Sequence, residues 1–269
     1  MKISAYIPCY NNAQTIERCI QSIRDQSIPV SELFVISDGS NDESVEIVKD
    51  LGIDLIDLKK NYGRGYVRAM AMKHAKHNYV LCCDATLTLE KDFIKKALNY
   101  FSDKNVGSVF GKVKQKDLSN ALSRWTSRYL FHDNEEAQIL HYIGLLTGGA
   151  IMKKSLVLDA GNFNSSLKSS EDMDLGIKMN ASGINTISDS NLIIYSYRHD
   201  DLYKTMERFW RWNYWNQKHS LSLFYSTIIY SLKVMVMNDL RDKDWLRIPI
   251  SLTFPLSMLY FQIQRLLNS

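Results

Sequence analysis

Three groups of carboxylates stand where the sequence changes character. Asp38 opens Asp38-Gly39-Ser40-Asn41-Asp42 directly after the run Leu33 to Ser37. Asp84 closes Tyr79-Val80-Leu81-Cys82-Cys83-Asp84 and leads into Ala85-Thr86. Glu171, Asp172 and Asp174 crowd one stretch, Ser169-Ser170-Glu171-Asp172-Met173-Asp174-Leu175. Acids brought together from separate segments serve metal-assisted or acid/base chemistry. A carboxylate on the lip of a buried strand suits a metal, a ribose hydroxyl or a proton in transit. Each group also has a plainer reading. Asp84 could cap the next turn, and three acids in the first turn of a helix complement its dipole.

The elements that must carry these acids follow from the hydrophobic pattern. Ile3 to Ile7 reads as a first strand, broken by Pro8-Cys9-Tyr10-Asn11-Asn12. Ala13 to Gln26 places Ile16, Cys19, Ile20 and Ile23 on one helical face. Leu33 to Ser37 is a second strand. Ser40-x-x-Glu43 fits a capping box for a helix to about Leu51. Ile53 to Leu58 is a third strand, Tyr66 to His77 a helix, and the run into Asp84 a buried fourth strand. A helix from Glu90 to Phe101, a strand from Val106 to Val113 and a glycine-bearing strand from Leu145 to Met152 follow. The Gly148-Gly149 pair in that strand admits a close approach to the backbone, as Gly39 does after Asp38. The alternation predicts an α/β fold with a parallel sheet covered by helices on both faces. Ligands of such sheets gather beyond the carboxyl ends of the strands, where Asp38 and Asp84 stand.

Composition excludes several functions. Lys plus Arg exceed Asp plus Glu by only 33 to 29, a net charge of +4, too mild to indicate nucleic acid. Gly63-Arg64-Gly65 comes after the third strand and has Arg68 where a dinucleotide fingerprint needs its third glycine. There is no GxxxxGK[ST] phosphate loop. The four cysteines form no CxxC pair and read as small core residues of a reduced compartment. The N-terminal residues lack the features of a signal peptide, which places the protein in the cytoplasm as an expectation.

These blocks, in this order, resemble family 2 of the inverting glycosyltransferases, which have the GT-A fold. The resemblance runs from Ile3 to about Trp212. It is carried by Ile7-Pro8-Cys9-Tyr10-Asn11, Asp38-Gly39-Ser40-Asn41-Asp42, Asn61-x-Gly63-x-Gly65 with Arg68, and Asp84-Ala85-Thr86. Further on it includes Gly148-Gly149 through Gly161-x-Phe163, Glu171-Asp172-x-Asp174-Leu175, and His199 before an Arg/Trp-rich helix. The fold class it implies is a mixed, mainly parallel sheet with helices on both faces, plus a C-terminal helical appendage. The implied nucleotide-binding residues are Pro8, Tyr10, Asp38, Arg68 and Asp84. Asp172 is the implied catalytic base. Gly148, Gly149, Glu171 and Asp172 fall on the sugar and acceptor side. Asp84 and His199 are the implied ligands of a divalent cation, Mn2+ or Mg2+. The family usually has a second acid two places after the first, and here that place holds Thr86, a poorer ligand for a hard cation. Thr86 therefore also motivates a rival reading, a weak or inactive nucleotide-sugar-binding or partner-binding protein. A nucleotidyltransferase would need a basic, glycine-rich loop after the first strand, and Pro8 to Asn12 offers none.

The expected division is a catalytic domain over 1–200 and a helical region over 201–269. Asp117 to Leu140 is long, polar and aromatic and is expected to cover a site. The tail is rich in aromatics, with Phe209, Trp210, Trp212, Tyr214 and Trp215, and core positions are expected at Phe209 and Trp212. Two apolar stretches, Leu221 to Met237 and Ile248 to Phe261, each read as shorter than the ~20 residues of a spanning helix. They suit helices lying on the inner face of a membrane, or an amphipathic pair packed on protein. The expected partners are a nucleotide sugar and a glycan or lipid-linked acceptor.

Overall fold

The computed structural model describes residues 1–133, 136, 138–214 and 221–267. In chain order the first elements are β1 (Ile3–Cys9), α1 (Ile16–Arg24), β2 (Glu32–Asp38), α2 (Ser44–Asp50), β3 (Asp54–Leu58), α3 (Arg64–His74) and β4 (Tyr79–Cys83). Next come β5 (Leu87–Leu89), α4 (Phe93–Leu98), β6 (Val106–Gln115), α5 (Ala121–Trp125) and β7 (Ile139–His141). Then follow β8 (Gly149–Lys153), α6 (Lys154–Asp159), α7 (Glu171–Ala181), β9 (Asn185–Ser196) and α8 (Leu202–Asn213). The last two are α9 (Leu221–Arg241) and α10 (Ile248–Leu267). The chain forms two compact units: Met1–Lys114 with Glu136–Tyr197, and Gln115–Glu135 with Arg198–Ser269.

The first unit is a mixed sheet in the order β3-β2-β1-β4-β8-β6-β9-β5, with β7 beside β9. β1 pairs in parallel with β2 and β4, and β2 with β3, so Asp38 and Asp84 leave the same edge. β8 then runs antiparallel to β4, with Cys83 opposite Gly149. Alternate residues of β4 feed two separate cores. Leu81 and Cys83 join Ile16, Ile20 and Ile23 of α1 on one face. Val80 and Cys82 join Val67 and Met72 of α3 and Leu175 and Met179 of α7 on the other. This period-2 division is what a strand buried on both sides produces. All four cysteines are buried free thiols.

Several local expectations are corrected. The capping box does not form: α2 starts at Ser44, and the Ser40 hydroxyl accepts from the Asn11 amide instead. Leu145 to Gly148 lies outside β8, and its polar groups serve the site described below. β5, β7 and β9 are additional strands. β9 carries Thr186, Ser188, Ser190 and Asn191 in its first half, and its apolar run is confined to Leu192–Tyr195. Gly39 (φ 74) is needed by the chain itself, since a Cβ there would lie 2.6 Å from the Lys60 carbonyl carbon.

The second unit is helical. Trp125 is fully buried and packs on Tyr129, Phe209 and Phe254. Its indole N–H donates to Ser251 Oγ at 3.0 Å. Ser251 Oγ donates to Asp239 Oδ2 at 2.6 Å, and the Tyr129 hydroxyl to Asp239 Oδ1 at 2.7 Å. Arg247 Nε lies 3.1 Å from Asp239 Oδ1, and its Nη2 bonds Asp242 at 2.6 Å. Pro255 sits inside α10 and has no N–H for the Ser251 carbonyl. The Ser231 hydroxyl supplies the missing donor at 2.6 Å. Trp212 is half-exposed while Trp210 is buried, so the core position is Trp210 rather than Trp212. Trp215 lies outside the described residues. The apolar segments are also longer than expected. α9 continues through Asp239 to Arg241 as a 21-residue helix, long and apolar enough to cross a membrane by length and composition, and α10 has 20 residues.

Candidate active site

Arg68 is the hub of the first unit's polar centre. It lies on the inward face of α3, is 2% exposed, and meets an acceptor at each of its three nitrogens. Nε donates to Glu171 Oε1 at 2.9 Å, Nη1 to Cys82 Sγ at 3.1 Å, and Nη2 to Asp84 Oδ1 at 3.0 Å. Burial pushes the Cys82 thiol up to about 12, so it stays neutral and Arg68 keeps its charge for the two carboxylates. Glu171 is as deeply buried as Arg68. Asp84 is a third exposed, and its Oδ2 has no partner among the described residues.

Asp172 is the next residue along α7. Its Oδ1 accepts from the Met173 amide at 2.9 Å, and its Oδ2 accepts from the Thr147 hydroxyl at 3.3 Å. Burial, and then the neighbouring Glu171 charge, raise its pKa above the ordinary carboxyl value, while Arg68 pulls it down. The centre thus holds three carboxylates (Asp84, Glu171, Asp172) against one guanidinium, and Arg68 bonds Asp84 and Glu171 directly but not Asp172. The loop before β8 ties Asp84 and Asp172 together. Thr147 bonds Asp172, and the Gly148 carbonyl accepts from the Asp84 amide at 3.2 Å. Neither Thr147 nor Cys82 stood out in the sequence, because both read as interior positions of strands.

The other expected residues take varied places. Asp38 is buried, and its two oxygens accept from the amides of Tyr62 (2.8 Å) and Gly63 (2.9 Å), fixing the turn before α3. Gly65 is required there: a Cβ would lie 2.2 Å from the Asn164 carbonyl oxygen. Pro8 does not break the first strand: it is half-buried inside β1, opposite Ile36 of β2. Tyr10 is half-exposed on the loop that follows, which is stitched to the Asp38 loop through Asn11 and Ser40. The space beside Gly149 is filled by Ile194, and that beside Gly148 by Leu87. His199 belongs to the second unit, where its Nε2 faces Asp117 Oδ2 at 3.5 Å. Among the described residues no group of three or more His, Cys, Asp and Glu stands where it could hold one ion. Asp84 Oδ2 offers a single carboxylate ligand, and Thr86 adds no second one.

A strand-end acid and a second acid at a helix start, joined through one loop, suit the transfer of a group onto a hydroxyl. The comparisons with known proteins agree. The model of glycosyl transferase family 2 matches residues 4–160, more than half of the chain. The chain belongs to this family. The matched segment holds β1 to β8, with Asp38, Arg68 and Asp84. A poly-beta-1,6-N-acetyl-D-glucosamine synthase of Staphylococcus aureus strain COL is 26% identical over 191 residues, covering 67% of this chain and 46% of that one. The corresponding synthase of Staphylococcus epidermidis RP62A is 28% identical over 127 residues, covering 45% of this chain and 31% of that one. The chain therefore spans less than half the length of these synthases. Two solved structures share the fold. A mannosyltransferase of Pyrobaculum calidifontis, solved with GDP-Man and Mn2+, gives a TM-score of 0.67 at 15% identity, covering 100% of this chain and 88% of that one. S. aureus TarS 1–349 with UDP-GlcNAc gives 0.59 at 21% identity, covering 87% and 76%. The mixed sheet and C-terminal helical region of this family 2 chain are those of the GT-A type.

Proposed function

We propose that this family 2 enzyme is an inverting transferase that moves a sugar from a UDP-linked donor to a hydroxyl of a glycan or lipid-linked acceptor. The observation that carries the reading is Asp172, a carboxylate of raised basicity with only a weak hydroxyl donor on the oxygen that would take the proton. In this reading Tyr10 and Pro8 flank the base, Asp38 fixes the turn that shapes the nucleotide pocket, and Asp84 lies beside the ribose. Asp172 takes the acceptor's proton as the hydroxyl oxygen attacks the anomeric carbon from the side opposite the departing diphosphate. A divalent cation, Mn2+ or Mg2+, bound along with the donor would have Asp84 as its protein carboxylate and would offset charge on the leaving group. Isothermal calorimetry with UDP and GDP, each with Mn2+ and again with EDTA, tests the donor side. UDP is expected to bind more tightly than GDP, and more tightly with Mn2+. Binding of neither nucleotide would remove the donor and favour a partner-binding protein on this fold.

The second unit is proposed to rest on the inner face of a membrane. Leu232 and Val234 of α9, Leu252, Leu256 and Ile263 of α10, and Trp245 and Leu246 between the helices are all exposed. An apolar surface of this kind, edged by Lys233, gains free energy at the boundary of headgroups and acyl chains. Purified protein should pellet with anionic liposomes, and L232E/L256E should stay in the supernatant. Equal pelleting of the two would end this reading.

A further inference from the structure

Arg68 and Glu171 are too deeply buried to meet a substrate, yet each is bonded to, or adjacent to, a residue placed at the chemistry. Nη2 of Arg68 holds Asp84 at the end of β4, and Nε holds Glu171, the first residue of α7 and the neighbour of Asp172. α7 enters through Ser170 in the left-handed conformation (φ 60), an unfavourable state for a residue with a Cβ. Such a state persists only where its surroundings over-determine it. The Glu171–Arg68 pair is the anchor directly after it. We propose that Arg68 and Glu171 form a clamp that positions the base-bearing start of α7 against the donor-side end of β4, and that neither touches the nucleotide sugar. Lysine could not replace Arg68, because the three acceptors lie in three directions that only the planar guanidinium fork reaches together. The inference rests on the reading of Asp172 as base and assigns both buried residues a role in the same step.

The test uses the whole chain with E171Q, which keeps size and shape, and R68K, which keeps charge but loses the fork. Both should lower kcat at least about tenfold by misplacing Asp172. The donor KM, and the UDP Kd from calorimetry, should stay within about twofold of wild type. A rise of tenfold in KM and Kd at unchanged kcat would show that these residues contact the donor, and would overturn the proposal. Unchanged kcat and KM would reduce the pair to a purely structural one and overturn it equally. Amide exchange gives a readout independent of turnover. The Met173 and Asp84 amides should both exchange at least about tenfold faster in E171Q, because one clamp holds both segments. If only Met173 loosens, the coupling fails. If wild type transfers nothing while both amides still respond, the functional reading falls and the clamp stands.

Discussion

Replacing Asp172 with Asn is expected to lower kcat by at least about a hundredfold while leaving the UDP Kd unchanged. Asparagine has the shape of the residue it replaces, and its Oδ1 can still accept one of the two bonds, so the start of α7 keeps its form. What disappears is the capacity to take a proton. The raised pKa of Asp172 fixes two further signs. Transfer needs the ionised carboxylate, so the rate should fall as pH drops through the raised value, at higher pH than for an ordinary Asp. Stability runs the opposite way. The folded state holds this proton more tightly than the unfolded chain, so ionising Asp172 costs stability as pH rises through the window between the two values. D172N should therefore melt at or above the wild-type temperature at neutral pH. Retained transfer in D172N, measured by release of UDP, would remove Asp172 from its role.

D239A is expected to produce the largest loss of stability, about 3 kcal/mol in urea unfolding. Asp239 is fully buried in the second unit and accepts from Tyr129 and Ser251, with Arg247 beside it. Alanine would leave the Ser251 hydroxyl without its acceptor, leave the Tyr129 hydroxyl with the Met235 carbonyl alone, and remove one of Arg247's counter-charges. The cost sits at the low end for a broken buried pair because Asp242 and Asp244 remain within 3.3 Å of Arg247. D239N keeps an acceptor and should cost about half as much. Every tryptophan of the sequence falls outside the ranges of the first unit, so tryptophan fluorescence follows unfolding of the second selectively. An unchanged fluorescence midpoint in D239A would show that the network contributes nothing.

The parallel half of the fold was legible because β1, β2 and β4 are largely apolar on both faces and are followed by a turn or an acid. The antiparallel flank was not. The first half of β9 is polar at several positions and is held as a strand by its pairing with β7, while only Leu192–Tyr195 carries an apolar strand pattern. The same blindness affected single residues. Sequence placed Arg68 on a helix, but which way a long charged side chain points depends on what lies inside, and here two carboxylates and a thiol await it. The family resemblance put Asp84 and Asp172 together, and the structure gives both a link to the loop before β8. The Thr147 and Gly148 contacts that make the link have no signature of their own. In the tail, Asn238 to Asp244 form a polar stretch between the two apolar ones. Asp239 is polar because it is the buried centre of a network, and so the helix runs on to Arg241.

The antiparallel seam between β4 and β8 has a consequence for how the enzyme is made. β1 pairs with β4 across 76 residues, Ile3 with Tyr79, and β4 pairs with β8 across 66, Cys83 with Gly149. Neither closure is local, and each costs loop entropy before its contacts repay it. On an emerging chain the strand ends that carry Asp38 and Asp84 should therefore come side by side only once β4 has been made. The Gly148 carbonyl can meet the Asp84 amide only after β8 follows.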